Sequence, residues 1–243
     1  MKLIKLNAID STNDYLKALH RKVVLEDEVI VIAHHQTKGR GQAASTWYSK
    51  PNKSLSFSMF KRFVAVGSEW QFAINWAVSL GIKSGLEDCG IQKVMIKWPN
   101  DILADGRKIC GILIENQWQA GMMNSSIIGV GVNVNNQDFP NLPQATSLAL
   151  AANMDFDISV VFKKITDGIS SELIRFVQGD YESLKQDYER NLFRINTFSE
   201  FENNQGIRWK GRIKGVSDNG LLKIKLENGS LQLFEMKQIR LVY

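Results

Sequence analysis

The sequence predicts an α+β fold with a small all-β barrel at its C-terminal end, on four observations. Short apolar runs bounded by polar or glycine-rich turns recur along the chain, as strands do. Between them, apolar residues return every three to four positions, the spacing of one helix face. The two kinds of element alternate without the regular strand–helix–strand repeat of a parallel sheet. Beyond residue 195 only short strands and Asn-Gly turns remain.

From the N-terminus, Asp10 and Ser11 offer side-chain oxygens to the unpaired amides of a first helical turn, and Tyr15, Leu16 and Leu19 continue a short helix. Strands are predicted at 28–33, 55–60, 94–97, 109–115 and 127–134. Trp70, Ala73, Ile74, Ala77 and Leu80 form one helical stripe. Ile158, Val161, Phe162, Ile165, Ile169, Leu173 and Phe176 form a second, with Asp157 as its N-cap. Tyr181, Leu184, Tyr188 and Leu192 form a third. Strands at 208–216, 221–226, 231–234 and 239–242 follow. Asn219-Gly220 and Asn228-Gly229 separate them and supply the positive φ that tight hairpins demand. The change in periodicity divides the chain into domains at 1–194 and 195–243.

Composition narrows the function classes. With 243 residues, 44% hydrophobic and 23% charged, the chain has material for one large core, or a core plus a small appendage. Its net charge of +5 is spread without blocks of like charge, which argues against a nucleic-acid-binding tail. Cys89 and Cys110 are the only cysteines and form no C-x-x-C pair, so neither a disulfide framework nor a zinc site is expected, and a reducing cytoplasm fits. His34 and His35 point to opposite faces of a strand, and His20 is the only other histidine, so a histidine metal cluster is not expected. The N-terminal segment is charged too early for a signal peptide, and no apolar stretch approaches the roughly 18 residues of a membrane span. Neither export nor membrane insertion is expected.

Several segments carry side chains suited to chemistry. Gly39-Arg40-Gly41-Gln42-Ala43-Ala44 scans as the G-x-G-x-x-A of dinucleotide-binding turns, but a second strand follows where that turn requires a helix. No Gly-Lys-Ser/Thr completes a P-loop either. What remains is a glycine-flanked loop carrying Lys38 and Arg40, which fits a binding loop or a plain surface turn. Lys97-Trp98-Pro99-Asn100-Asp101 ends a strand with a cation and halts it with a proline, which has no N–H for the ladder. A lysine so placed can pair with a carboxylate and a phosphate together; the plainer alternative is an exposed strand end beside a packed tryptophan. Gly111, and Gly129 with Gly131, allow close approach of a ligand or relieve packing, and Asn133 adds an amide that both donates and accepts.

Taken in order, Ser11-Thr12-Asn13, the segment from Gln36 to Trp47, Lys97-Trp98-Pro99-Asn100-Asp101, the segment from Arg107 to Gly111 and the segment from Gly129 to Asn133 closely resemble the catalytic region of biotin–protein ligases. Arg107-Lys108-Ile109-Cys110-Gly111-Ile112-Leu113-Ile114-Glu115 looks like that family's R-K-x-x-G-I-L-x-E segment. The resemblance covers essentially the whole chain. It implies a mixed β-sheet with flanking helices of the class II synthetase type, plus a small C-terminal SH3-like β-barrel. It also implies an activity: biotin and ATP, with Mg²⁺ on the phosphates, give biotinoyl-AMP, and biotin passes to a lysine of a biotin carboxyl carrier protein or domain, such as that of acetyl-CoA carboxylase.

The same resemblance implies residue roles. Lys97 and Arg40 are expected to be catalytic, Lys97 bridging the biotin carboxylate and the α-phosphate. Biotin is expected to meet Ser11, Thr12, Asn13, Gln36, Gly39, Arg40, Gly41, Gln42, Lys97, Gly111 and Ile112. ATP and the adenylate are expected near Lys38, Arg40, Trp47, Asn100, Lys108 and Asn133. The metal ligands are left open, and a homodimer is compatible with the family. Two departures stand out. Bifunctional relatives carry a DNA-binding domain before the Ser-Thr-Asn motif, whereas ten residues precede Ser11 here, so repressor activity and DNA binding are not expected. The family's frequent G-R-G-R-R-G-R-x-W loop reads here as Gly39-Arg40-Gly41-Gln42-Ala43-Ala44-Ser45-Thr46-Trp47, with fewer cations to hold an anionic adenylate. A lipoate–protein ligase is the nearest rival, but that family has an R-R-x-x-G-G-G loop and lacks Trp-Pro after its lysine. A non-enzymatic nucleic-acid-binding protein is the rival of another class; the barrel strands lack the array of stacking aromatics and cations it needs.

Overall fold

In the computed structural model, which describes residues 2–25, 27–42, 45–140 and 142–243, the first strand β1 (Lys2–Ile9) pairs in parallel with β2 (Val29–Gln36). The other strand pairings of this sheet are antiparallel. They run from β2 to β3 (Ser54–Val66), β7 (Met122–Asn133), β6 (Arg107–Gln119), β5 (Asp101–Ala104) and β4 (Val94–Lys97) at the far edge of a seven-stranded sheet. The sheet is therefore mixed, as the resemblance implied.

Strand alternation sends successive side chains to opposite faces, and the two faces have different fates. One carries Ile30, Leu55, Phe57, Met59, Ile128, Val130 and Val132, all buried beneath α2 (Ala73–Asp88) and α4 (Ile158–Val177) in the main core. Here Gly81 and Gly85 of α2 meet α4 at Gly168 and Ile165 with backbone against backbone. The short α3 (Leu148–Ala152) and α5 (Tyr181–Arg190) complete this layer. The opposite face carries Val29, Val31, Phe60 and Ile127, which pack on Leu16 of α1 (Thr12–Lys22) in a smaller cluster. The single helix α1 covers only part of that face.

A second sheet of β8 (Phe198–Asn203), β9 (Arg208–Val216), β10 (Leu222–Leu226), β11 (Leu231–Phe234) and β12 (Ile239–Val242) is wholly antiparallel, in the order β11-β10-β9-β8-β12, consistent with an SH3-like barrel. It docks through defined polar contacts. The Trp98 indole Nε1 donates to the Gly220 carbonyl (2.9 Å), and the Glu189 carboxylate accepts from the Val216 amide (2.8 Å).

Several elements differ from the expectation. β1 was not anticipated, because Leu3 and Ile9 obscure the alternation of Ile4 and Leu6, and as an edge strand it is largely exposed. β5 was hidden by Pro99, which ends β4 but also begins a tight turn that pairs Lys97 with Asp101. β8 buries Ser199 and Phe201 and exposes Phe198, so its inward face is not an apolar run. α3 is too short for a periodic stripe and rests on the Ser147 cap. Trp70 lies in a separate 3-10 turn before α2, Leu192 lies beyond α5, and Val134 and Leu221 fall just outside their strands. Ser11, not Asp10, caps α1, since its hydroxyl accepts from the Asp14 amide while Asp10 pairs with Thr37 and Lys38. In both Asn-Gly turns only the glycine has positive φ, +79° at Gly220 and +85° at Gly229, so neither is the turn type that bends both residues left-handed. Asp157 caps α4 as expected. Among the described residues, no helix is long and apolar enough to cross a membrane.

Candidate active site

The cavity follows from the sequence of the sheet's sparsely covered face. In β3, Ser54, Ser56 and Ser58 alternate with the buried Leu55, Phe57 and Met59. Their cross-strand partners in β7 are Asn133, Gly131 and Gly129, and Gly131 in turn pairs with Gly111 of β6. Small residues in register across three strands leave a depression where the other face is filled by branched and aromatic side chains. Neighbouring side chains descend into it. A Cβ on Gly129 would lie 2.3 Å from Asn13 Oδ1, and one on Gly131 would lie 2.3 Å from the Trp47 ring. The resulting cavity of about 590 Å³ lies within the size range of small-molecule sites and is also walled by the second sheet, through Phe201, Glu202, Asn203, Met236 and Arg240.

One end of the cavity is polar. The Gln36 Oε1 accepts from both the amide (2.8 Å) and the hydroxyl (3.0 Å) of Thr12. The Ser58 hydroxyl lies 2.7 Å from Thr12 Oγ1 and 2.5 Å from Asn13 Oδ1. These contacts fix the start of α1 over the sheet. Beside them, Glu115 gathers Asn13 (2.8 Å), Lys17 and Arg40 (3.2 Å), and Arg40 also reaches Asp14 (2.6 Å). Burial alone would raise the Glu115 carboxyl, but hydrogen bonds from Lys17 and Asn13 and the charges of Lys17 and Arg40 hold it below the usual range. A carboxylate depressed in the folded state contributes stability above its unfolded pKa and loses that contribution as pH falls through the folded value. Urea unfolding should accordingly show wild type more stable than Glu115→Gln at neutral pH, with the gap closing on acidification. A gap independent of pH would remove this account.

The other end is cationic. Lys97 lines the cavity with Asp101 3.5 Å away, and Asp101 is held more closely by Lys108 at 2.6 Å. The Lys108 ammonium stands 5.8 Å over the Trp47 ring, whose Nε1 is buried with no hydrogen-bond partner among the described residues. Asn100 and Ile112 exchange hydrogen bonds of 2.8 and 2.9 Å, fixing the turn after β4 against β6. The Trp98–Pro99 peptide in that turn is cis.

Of the residues named from the sequence, Ser11, Thr12, Asn13, Gln36, Arg40, Gly41, Gln42, Trp47, Lys97, Asn100, Lys108, Gly111 and Ile112 line this one cavity. Gly39, Lys38 and Asn133 do not. Gly39 packs against Trp47, and Lys38 is 77% exposed and paired with Asp10. Asn133 is buried and donates to the Thr146 carbonyl (3.0 Å). Ala43 and Ala44, part of the loop comparison, lie outside the described residues. Sequence reasoning assigned no role to Ser56, Ser58, Asp14, Asp101, Glu115 or the second-sheet wall. The alternation Ser54-Leu55-Ser56-Phe57-Ser58-Met59 was a readable signal of a polar face; the wall had none, since docking of the second sheet is not encoded locally.

Residues 6–133 match the model of the biotin/lipoate A/B protein ligase family. The chain is 30% identical over 210 residues to the bifunctional ligase/repressor BirA of Bacillus subtilis, covering 84% of this chain and 64% of that protein. It thus spans less than two thirds of that relative's length. It is 26% identical over 215 residues to a biotin–[acetyl-CoA-carboxylase] ligase of Mycobacterium tuberculosis, covering 87% of this chain and 79% of that one. Among solved structures, the biotin protein ligase from Aquifex aeolicus in complex with biotin and ATP aligns with a TM-score of 0.80 at 25% identity, over 99% of this chain and 98% of that one.

Proposed function

The chain belongs to the biotin/lipoate A/B protein ligase family, and from that premise we propose that it is an ATP-dependent biotin–protein ligase. The observation that carries this reading is a single cavity, polar and hydrogen-bonding at the Thr12–Gln36 end and cationic at the Lys97–Lys108 end. Biotin has the matching polarity: a ureido ring with one acceptor and two donors, an apolar tail and a terminal carboxylate. In this reading Ser11, Thr12, Asn13 and Gln36 take the ring, while Gly111 and Ile112 flank the tail. Arg40, Gly41 and Gln42 cover the bound adenylate, with Gly39 and Lys38 shaping that loop from outside the cavity. Trp47, Asn100 and Lys108 flank the nucleotide, and Asn133 supports that end from beneath.

Lys97 performs the central task. The biotin carboxylate oxygen attacks the α-phosphorus of ATP, the bond to the bridging oxygen breaks, and pyrophosphate leaves with the electron pair. Two anions must approach for this to happen, and an ammonium between them offsets the repulsion as the new bond forms. A carrier lysine then attacks the acyl carbon of biotinoyl-AMP; AMP leaves and the amine loses a proton. No cluster of three acidic, histidine or cysteine groups lies among the described residues. In this reading Mg²⁺ would arrive with the triphosphate, an ion commonly bound through one or two carboxylates plus substrate phosphates. Asp101 and Glu202 are carboxylates of the cavity lining that would stand beside it, each already paired with cations, Asp101 with Lys108 and Glu202 with Arg208 and Arg240, and the ion's charge would offset that of the departing pyrophosphate. The partner is a biotin carboxyl carrier protein or domain, and the units 1–194 and 195–243 serve as catalytic domain and SH3-like cap.

The direct test incubates the protein with Mg-ATP, a biotin carrier domain and either biotin or lipoate, and reads the carrier's mass. A biotin increment with no lipoate increment supports the reading; the reverse replaces it with the lipoate ligase, and neither overturns both. The loop adds a second expectation. Gln42→Arg supplies a guanidinium for the adenylate phosphate, a charge-assisted hydrogen bond that slows release of preformed biotinoyl-AMP by about tenfold. Equal dissociation rates, measured by trapping released adenylate, would remove that expectation.

A further inference from the structure

The cationic end of the cavity has a neighbour from the second sheet that no family motif names. Following β12, Tyr243 places its ring centroid 5.4 Å from the Lys97 ammonium. The ring is fixed on several sides: Phe193 meets it edge-on at a centroid distance of 5.1 Å, and the Arg194 guanidinium lies 5.7 Å from it. The Gln144 side-chain amide donates to the Tyr243 backbone oxygen at 2.9 Å. Burial raises the phenol pKa and the nearby Asp101 charge raises it further, against Lys108 and Arg194, so the ring is a neutral phenol. The ion-pair partner of Lys97 among the described residues is Asp101 at 3.5 Å, which is held more closely by Lys108 at 2.6 Å. The aromatic face adds a second, separate contact that holds the ammonium in one place.

We propose that Tyr243 is a positioning residue for adenylate formation: its ring holds the Lys97 ammonium, across the junction of the two sheets, where carboxylate and α-phosphate meet. This rests on the ligase reading above and deepens it. It also gives the second sheet a part in the chemistry, because displacing β12 would remove the lysine's support. Tyr243 does not line the cavity itself, so its influence on the reaction passes through Lys97.

The test uses the full chain with Tyr243→Leu, which removes the aromatic face, and Tyr243→Phe, which keeps it. Tyr243→Leu should lower the single-turnover rate of biotinoyl-AMP formation by about tenfold, the scale of one desolvated cation–π contact. Biotin affinity by calorimetry should stay within about twofold, and Tyr243→Phe should recover most of the lost rate. A merely structural tyrosine would move affinity and rate together. A second measurement is independent of activity: brief acetylation with acetic anhydride, read by peptide mass spectrometry. Lys97, relative to the other lysines, should react several-fold faster in Tyr243→Leu than in wild type or Tyr243→Phe. An unchanged rate or unchanged Lys97 labelling in Tyr243→Leu would overturn the proposal, as would Tyr243→Phe losing as much as Tyr243→Leu. If wild type formed no adenylate, the ligase reading would fail while the labelling comparison still decided the contact.

Discussion

Replacing Lys97 by alanine should lower biotin-dependent pyrophosphate exchange by roughly 10²–10³-fold, the loss that follows removal of one preorganised group from a transition state that gathers charge. The fold should survive. Lys97 is partly exposed to the cavity, and Asp101 keeps its 2.6 Å partner Lys108, so the substitution leaves no orphaned buried charge. The thermal midpoint should therefore stay within about 4 °C, as expected for changes below about 1 kcal/mol in a chain of this size. Biotin affinity should fall much less than the exchange rate, because the ring end of the cavity is untouched. Exchange retained above a tenth of wild type would take the central role away from Lys97. A fall matched by an equal loss of biotin binding would make it a binding residue only.

The largest expected loss of stability is at Gly81→Val. A Cβ at this position would lie 2.5 Å from the Ile169 Cα and 2.6 Å from the Gly168 carbonyl oxygen, distances that real Cβ atoms do not adopt. Gly168 is as crowded in return, with a Cβ position 2.3 Å from the Gly81 carbonyl oxygen. The obstructing atoms are backbone, so no side-chain rotation relieves the clash and α2 must separate from α4. Valine gains a few tenths of a kcal/mol over glycine in helix propensity, against a cost of about 3 kcal/mol or more for overpacking a filled core. The second term wins. Urea unfolding should show the unfolding free energy lowered by that amount and the midpoint lowered in proportion, with activity per folded molecule retained at low denaturant. An unchanged midpoint would mean that the two helices are not locked at this crossing.

How far the sequence could be read depended on whether a feature was local. The helix at 158–176 was legible because its apolar positions face one core and the opposite side faces water. α2 was only half legible: enclosed by α4, α5 and the sheet, it buries most of its surface, and a stripe understates a helix covered nearly all round. β5 was lost to a proline that marks the end of one strand and the turn into the next. In the site, Lys97, Gln36 and Thr12 could be named because short motifs carry them. Glu115 could not be given a role, since its three partners come from α1 and the 39–47 loop.

By itself the sequence determined the α+β class, a C-terminal run of short strands and the family, through Ser11-Thr12-Asn13, Lys97-Trp98-Pro99-Asn100-Asp101 and Gly129-Val130-Gly131. These are properties of periodicity and of residue order, and both survive without coordinates. Only the tertiary structure decided that the serines of β3 and the glycines of β6 and β7 stand in register, turning separate motifs into one cavity. It also decided that Lys38 and Asn133 stand apart from that cavity and that Tyr243 reaches Lys97. The physical reason is that register and docking are set by packing between elements distant in the chain, and local sequence cannot record the partner it will meet.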